Sequence, residues 1–403
     1  MTLRPLLLAL TAASVAASLL VGAHLYLARR LVLEPAWPEP FRSALLAAIA
    51  LLGTSLVLSL VSGRLLPPRR AKIVVWSGAV WMGLAFLLLT LLSFSDLALW
   101  LVGPPAWAQS GDGLLHESGA RLRALVVGGL AGGGAVLGLR NALRPPPLRR
   151  VEHRLARWPR PLDGFRIVQI SDLHIGGILD VRFARHLVDR CNALEPDLLV
   201  VTGDLVDGSV DRLADEVAPL AELRARHGVF FVTGNHDHYS GAQVWCRTLE
   251  KLGLSVLRNS RVTIARGETS FELAGVDDHR GGHFDGVRED LPRALAGRDP
   301  NRTLVLLAHD PSTFRSASRM GVDLQLSGHT HGGQIWPFSA LVRLVVPFVA
   351  GVYEREGARL YVSRGSGFWG PPMRLFAPAE ITEHVLRPGA QQQELEPDVR
   401  VTL

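Results

Sequence analysis

Three stretches without a charged side chain limit what this 403-residue chain can fold into: Pro5 to Ala28, Ser43 to Gly63 and Ile73 to Ser95, which are 24, 21 and 23 residues long. At a rise of 1.5 Å per residue, a helix of each length crosses roughly 30 Å of hydrocarbon. Buried core helices are usually shorter and amphipathic, and basic residues gather at the ends of these runs, so membrane spans are expected. A fourth run, Ala124 to Leu139, has 16 residues and many glycines. It reaches full length if Arg121, Arg123 and Arg140 snorkel or if its small residues pack closely against a neighbour. The expected spans are therefore about 5–28, 43–63, 73–95 and 122–140, within a transmembrane region of residues 1–140. The first run, with Arg4 ahead of apolar residues, also has the features of a signal peptide. Either reading leaves the C-terminal half on the same side.

Loop Lys and Arg set that side. Arg64, Arg69, Arg70 and Lys72 follow the second run, and Arg140, Arg144, Arg149 and Arg150 follow the fourth, so both segments are expected in the cytoplasm. The loop from Asp96 to Arg123 holds Asp96, Asp112 and Glu117 and offers Trp100 and Trp107 as interface anchors. It is expected outside, although Arg29, Arg30 and Arg42 in the first loop fit this orientation less well. Residues 141–163, with Pro145, Pro146 and Pro147 among arginines, read as a stiff basic linker. Residues 1–150 hold 14 Lys+Arg against 5 Asp+Glu, whereas the remainder holds 29 against 32. The basic excess thus belongs to the membrane half, and nucleic acid is not an expected partner. Cys191 and Cys246, without a CxxC pair, read as buried thiols.

From Phe165 the pattern changes to short β-rich runs that end in polar, glycine-containing turns, each followed by a helix-like stretch. This is an α/β rhythm. Arg166–Ile170 runs into Ser171-Asp172-Leu173-His174, Asp197–Thr202 into Gly203-Asp204-Leu205-Val206-Asp207, and Val229–Thr233 into Gly234-Asn235-His236-Asp237. Thr303–Ala308 ends at His309, and Val322–Ser327 at Gly328-His329-Thr330-His331. Ligand sites in open α/β sheets gather beyond the carboxyl ends of strands. Carboxylate, imidazole and amide groups delivered there suit two adjacent divalent cations, with Asp204 able to bridge them. Asp172 and His174, two residues apart, share a face if they continue the strand, or meet one ion through a turn. Glycines ahead of Asp204, Asn235 and His329 let the backbone turn sharply.

The series Asp-x-His, Gly-Asp-x-x-Asp, Gly-Asn-His-Asp, a lone His and Gly-His-x-His resembles the calcineurin-like metallophosphoesterase superfamily. Gly328–Gln334 and Tyr361–Gly367 resemble its bacterial YkuE/YaeI-like membrane-associated branch, some members of which hydrolyse UDP-diacylglucosamine. The resemblance implies two mixed β-sheets packed as a sandwich flanked by helices, over residues 164–388, with a polar tail at 389–403. It implies that Asp172, His174, Asp204 and His331 hold one metal, that Asp204, Asn235, His309 and His329 hold the other, and that His236 is the general acid. Mn, Fe and Zn all suit these ligands. Asp207 and Asp237 are expected to hydrogen-bond a ligand or His236 rather than to coordinate, and His238, His279, His283 and Asp310 read as polar loop residues. Arg364 and Asn259 read as a salt bridge and a turn residue.

The expected activity is metal-dependent phosphoester or pyrophosphate hydrolysis, with hydroxide attacking phosphorus in line, at a bacterial cytoplasmic membrane. A lipid-linked or nucleotide-linked phosphate is the expected substrate and the bilayer the expected partner. A tethered phosphodiesterase or protein phosphatase for soluble substrates is the alternative enzyme. A metal-bound sensory module on a membrane protein is the non-enzymatic one. The apolar run Ile335-Trp336-Pro337-Phe338, continuing through Leu341–Val349, reads either as a flap leaning on the bilayer, joined by Phe368-Trp369, or as buried core.

Overall fold

A computed structural model describes residues 3–65, 68–103, 113–284 and 286–389. Trp107, Asp112 and all of the expected polar tail beyond Gly389 lie outside the described residues. Two compact units are present: Met1–Leu143 with Gly370–Leu375, and Arg144–Trp369 with Phe376–Leu403.

The first unit contains α1 (Leu3–Ala28), α2 (Phe41–Leu65), α3 (Pro68–Val102) and α4 (Gly113–Leu143). All four helices are long and apolar enough to cross a membrane. All four overrun their expected limits, α3 and α4 furthest, and in these two the charged residues find protein partners. Asp96, expected to open an external loop, stays inside α3. It accepts hydrogen bonds from Tyr26 Oη at 2.6 Å, from Arg30 at 2.8 Å and from Arg123. In α4, Arg121 is helical as well, donating to the Pro35 carbonyl at 2.7 Å and the Ala36 carbonyl at 2.8 Å. Arg121 and Arg123 therefore have protein partners instead of relying on snorkelling. The buried stripe of α4 is Ala120, Ala124, Val127, Ala131 and Ala135, spaced three and four residues apart. Small residues of both kinds make the close face: a Cβ at Gly128, Gly129, Gly132 or Gly133 would meet nothing within 4 Å, but one on buried Gly138 would lie 3.1 Å from Met373.

The second unit is a sandwich of two six-stranded mixed sheets. Its strands are β1 (Leu148–Leu155), β2 (Phe165–Ile170), β3 (Leu198–Thr202), β4 (Val229–Val232), β5 (Ser255–Val256), β6 (Ser260–Arg266), β7 (Thr269–Gly275), β8 (Leu304–Leu307), β9 (Leu324–Ser327), β10 (Gly351–Arg355), β11 (Ala358–Val362) and β12 (Ile381–Pro388). One sheet has the order β1-β12-β2-β3-β4-β5 and the other β10-β11-β9-β8-β7-β6. In the first, β2, β3, β4 and β5 run parallel, and β12 is antiparallel to β2. In the second, β7, β8, β9 and β11 run parallel.

Successive residues on β2 and β3 enter opposite cores, as the two-residue strand period requires. Phe165, Ile167, Leu198 and Val200 point between the sheets, against Phe271, Leu273, Val305 and Leu326. Val168, Ile170, Leu199 and Val201 point outward, under α5 (Val181–Asn192), α6 (Val210–Val217) and α7 (Ala242–Lys251). Each such side chain stabilises the fold by about 1.5–3 kcal/mol when fully buried. Cys191 and Cys246 belong to the outer core, where burial pushes both thiols up to about 12.

The expected linker, 141–163, is corrected. Its residues Leu148–Leu155 form β1, paired in parallel with β12. β1 is an edge strand whose outward positions are charged, which is how natural sheets protect an open edge and why the segment reads as a linker. His153 and Leu155 are its buried positions.

Candidate metal centre

Every residue of the site lies just beyond the carboxyl end of a strand. β2 leads to Asp172 and His174, β3 to Asp204 and Asp207, β4 to Asn235 and His236, β8 to His309, and β9 to His329 and His331. Five of the seven expected ligands have positive φ: Asp172 (54°), His174 (47°), Asp204 (50°), His329 (75°) and His331 (51°). Such non-glycine conformations cost about 1–3 kcal/mol each and persist only where the surroundings enforce them. Bonds between the loops supply that enforcement. Asp172 N donates to the Gly203 carbonyl and His174 N to the Asp204 carbonyl, both at 3.0 Å, and His329 N donates to Asp172 Oδ1 at 2.9 Å. The turn, not a continued strand, is what brings Asp172 and His174 together.

The glycines ahead of the ligands serve two purposes. Gly203 has φ +82°, as a sharp turn requires. Gly234 does not, with φ −108°, yet a Cβ there would lie 2.2 Å from Asp204 Oδ1. Likewise a Cβ on Gly328 would lie 2.3 Å from Asp172 Oδ2. Close approach of backbone to polar side chains, the Asp204 carboxylate at Gly234 and Ser171 with Asp172 at Gly328, rather than a left-handed turn, fixes these two.

The side chains gather into two neighbouring clusters. In the first, His174 Nε2 lies 3.1 Å from His331 Nε2, and His331 Nε2 lies 3.5 Å from Asp172 Oδ1. In the second, His309 Nε2 lies 3.2 Å from both Asp204 Oδ2 and His329 Nδ1. Asp204 Oδ2 is also 3.8 Å from His174 Nε2, so it stands between the clusters. Each triad has its donor atoms within 4.8 Å of one another.

These residues fit divalent cations on three observations. Asp172 Oδ2 and Asn235 Oδ1 are buried acceptors without a hydrogen-bond partner, a costly state that a cation relieves. His174 Nδ1 is 3.0 Å from Asp207 Oδ1, and His309 Nδ1 is 2.8 Å from the Thr202 carbonyl. Both partners only accept, so each Nδ1 carries the hydrogen and each neutral ring turns the Nε2 lone pair toward its cluster. The donor set is oxygen and nitrogen only, suited to Mn, Fe or Zn.

Without metal, the charges settle on the imidazoles. Burial opposes charge on His174, but Asp207, then Asp204 and Asp172, outweigh it and raise its pKa to about 9. Burial likewise opposes charge on His309, and Asp204 overrides it, raising that pKa. Burial lowers that of His329, with the His309 charge adding to the effect. Burial works against ionised Asp207, yet His174 and His236 hold it well below the usual carboxylate range.

His236, the expected acid, has its Nδ1 2.7 Å from Asp207 Oδ1, and its backbone N donates to Asp204 Oδ1 at 2.8 Å. Asp207 therefore holds both His174 and His236. Asp237 does neither: it accepts from the backbone N–H groups of Leu205, Val206 and Gly234 at 2.9, 3.3 and 2.8 Å, tying the loops after β3 and β4 together. Arg364 pairs with Glu380 at 2.9 Å, and Asn259, at φ 48°, accepts from Asp290 N at 2.9 Å. His238 is buried with Nε2 3.1 Å from Thr233 Oγ1. Asp310 is closer to the site than a loop residue need be: its Oδ2 is 4.0 Å from His329 Nε2 and 3.5 Å from His279 Nδ1. Its position next to His309 was the available signal. Trp369, whose ring meets that of His236 edge-on at 5.8 Å, lies 133 positions from it and carries no local signal.

Comparison with known proteins places the chain in a family. Residues 165–333 match the calcineurin-like phosphoesterase family model. A Danio rerio transmembrane protein with a metallophosphoesterase domain is 38% identical over 262 residues, covering 63% of this chain and 60% of that protein. An uncharacterized metallophosphoesterase from Helicobacter pylori strain J99 is 35% identical over 63% of this chain and 67% of its own length. The Bacillus subtilis metallophosphoesterase YkuE, also uncharacterized, is 33% identical over 66% of this chain and 94% of its own. The chain therefore spans about 60% of the Danio rerio relative but nearly all of the Bacillus one. The chain belongs to the calcineurin-like metallophosphoesterase family.

Proposed function

We propose that this chain is a membrane-anchored hydrolase of phosphoesters or pyrophosphates that works with two divalent cations. The carrying observation is the pair of His–carboxylate clusters, with Asp204 between them and two buried acceptors lacking partners. Asp172, His174, Asp204 and His331 would hold one cation, and Asp204, Asn235, His309 and His329 the other. When bound, the cations offset charge on the phosphoryl oxygens and lower the pKa of water. The chain's own residues supply the rest. Asp207 fixes His236 with Nδ1–H toward the carboxylate, which leaves Nε2 as the atom that hands a proton to the leaving oxygen. Asp237 fixes the backbone that carries both Asp204 and His236.

The substrate we propose is a lipid-linked or nucleotide-linked phosphate. Two observations support a lipid-linked one: the chain's four membrane-length helices and the Trp369 ring against His236. The catalytic unit is proposed to face the cytoplasm of a bacterial cell. Arg140 lies in the last turn of the last helix and Arg144, Arg149 and Arg150 follow it, whereas Arg30 and Arg123, at the opposite end, are paired with Glu34 and Asp96. One experiment tests both points. Sealed right-side-out and inverted vesicles, with Mn²⁺ added, are offered phosphate monoesters, diesters, nucleotide-sugar lipids and phospholipids. Hydrolysis is expected for at least one class, with impermeant substrates cleaved only by inverted vesicles, and Asp204→Asn is expected to abolish it. No turnover of any class sinks the hydrolase. Turnover of impermeant substrates in right-side-out vesicles sinks the orientation.

A further inference from the structure

The middle of the apolar run after the last ligand block is not core, although Ile335 and Val349 near its ends are buried. Residues Phe338–Val345 form a helix without a single buried residue. Leu341, Leu344 and Val345 are 54%, 82% and 84% exposed, and Arg343 is exposed among them. The segment leading into this helix is fastened to two more exposed apolar residues. Ile335 forms a bridge with Phe376, which is 84% exposed, and Gln334 exchanges hydrogen bonds of 2.8 and 2.9 Å with the backbone of Trp369. Trp369 is the residue whose ring meets His236. An apolar surface thus runs from the helix to the edge of the site, where a water-facing patch of this kind is costly unless something covers it.

We propose that this helix lies in the membrane interface, with Leu341, Leu344, Val345 and Phe376 among the acyl chains and Arg343 at anionic headgroups. Large apolar residues interrupted by a basic one are the composition of interfacial helices. The occupant follows from the chain itself. α4 ends at Leu143 and β1 begins at Leu148, a tether of at most about 18 Å when fully extended. A bilayer is therefore always within reach of this unit. The purpose, delivery of an acylated phosphate past Trp369 to His236, rests on the hydrolase reading; the position of the helix does not.

The test is collisional accessibility of a nitroxide label on full-length protein in phosphatidylcholine–phosphatidylglycerol vesicles. Cys191 and Cys246 are buried, so Leu344→Cys labels selectively, and Glu268→Cys in the exposed β6–β7 turn serves as the aqueous reference. The Leu344 label is expected to favour oxygen over an aqueous nickel chelate by several-fold relative to the Glu268 label. Equal ratios at the two positions overturn the proposal. So does strong dipolar coupling between Leu344 labels on separate chains, which would make a second copy the occupant. A protein that hydrolyses none of the four substrate classes offered above defeats the hydrolase reading and leaves this measurement unaffected.

Discussion

The two clusters of the candidate centre have similar atoms and different supports. In the second, the Nδ1–H of His309 is held by the Thr202 carbonyl at 2.8 Å. Thr202 is itself set by the sheet, its Oγ1 accepting from buried Gln169 at 2.7 Å. In the first, the Nδ1–H of His174 is held by a side chain, Asp207, that also holds His236. One cluster is thus anchored to the rigid interior and the other is coupled, through one carboxylate, to the residue proposed to move a proton. If His236 is the acid, rigidity and proton transfer are divided between the two halves of the site, and single substitutions separate them.

The largest separation is expected at His236. Replacing it with Gln leaves Asp207 a hydrogen-bond partner and touches no expected ligand, so two equivalents of metal should remain. Turnover should fall by about 10²–10⁴-fold, the usual contribution of a positioned general acid. Metal content is read by elemental analysis beside the rate. A His236→Gln protein that loses metal in step with activity would remove the distinction between ligand and acid. A smaller, mixed effect is expected from Asp207→Asn, which weakens the support of the first cluster and frees His236 together. Metal affinity and rate should each drop by about 10–100-fold, the range seen when a partner of a metal-bound histidine is lost. The second cluster offers no counterpart, because its support is a backbone carbonyl.

The same contrast between local and distant partners decides what was legible in the sequence. The five blocks are legible because each follows a β-like run, and a parallel sheet delivers strand ends to one edge whatever the loops between them. The limits of α3 and α4 were not. Asp96 and Arg121 read as charges that need water until their partners Tyr26, Arg30 and Pro35 are known, 66 to 86 positions away. β1 was missed for a related reason, since its edge position makes its exposed side chains charged and hides a pairing with β12 more than 230 residues later. The helix Phe338–Val345 stayed open between flap and core because an apolar run alone does not say whether anything covers it. The roles of Gly234 and Gly328 were equally invisible, being set by polar side chains that approach from other loops.

The finest test of the comparison counts protons. His174, ordinarily near 6.5, is raised to about 9 because Asp207, with Asp204 and Asp172, outweighs burial. A raised folded-state value means that the proton stabilises the metal-free fold; the contribution is complete below 6.5 and is lost as pH rises through 9. A cation needs the neutral ring, so across that window binding expels the proton, and apparent affinity rises with pH by at most about tenfold per unit. His309 is raised mainly by Asp204, with Asp172 adding to it, and Asp207 is not among its leading influences. At pH 8, calorimetric titration of Mn²⁺ in two buffers of different ionisation heat should therefore show Asp207→Asn releasing about one proton fewer than the wild type. An unchanged count would mean that Asp207 does not set the charge on His174, and the two clusters would then differ in geometry alone.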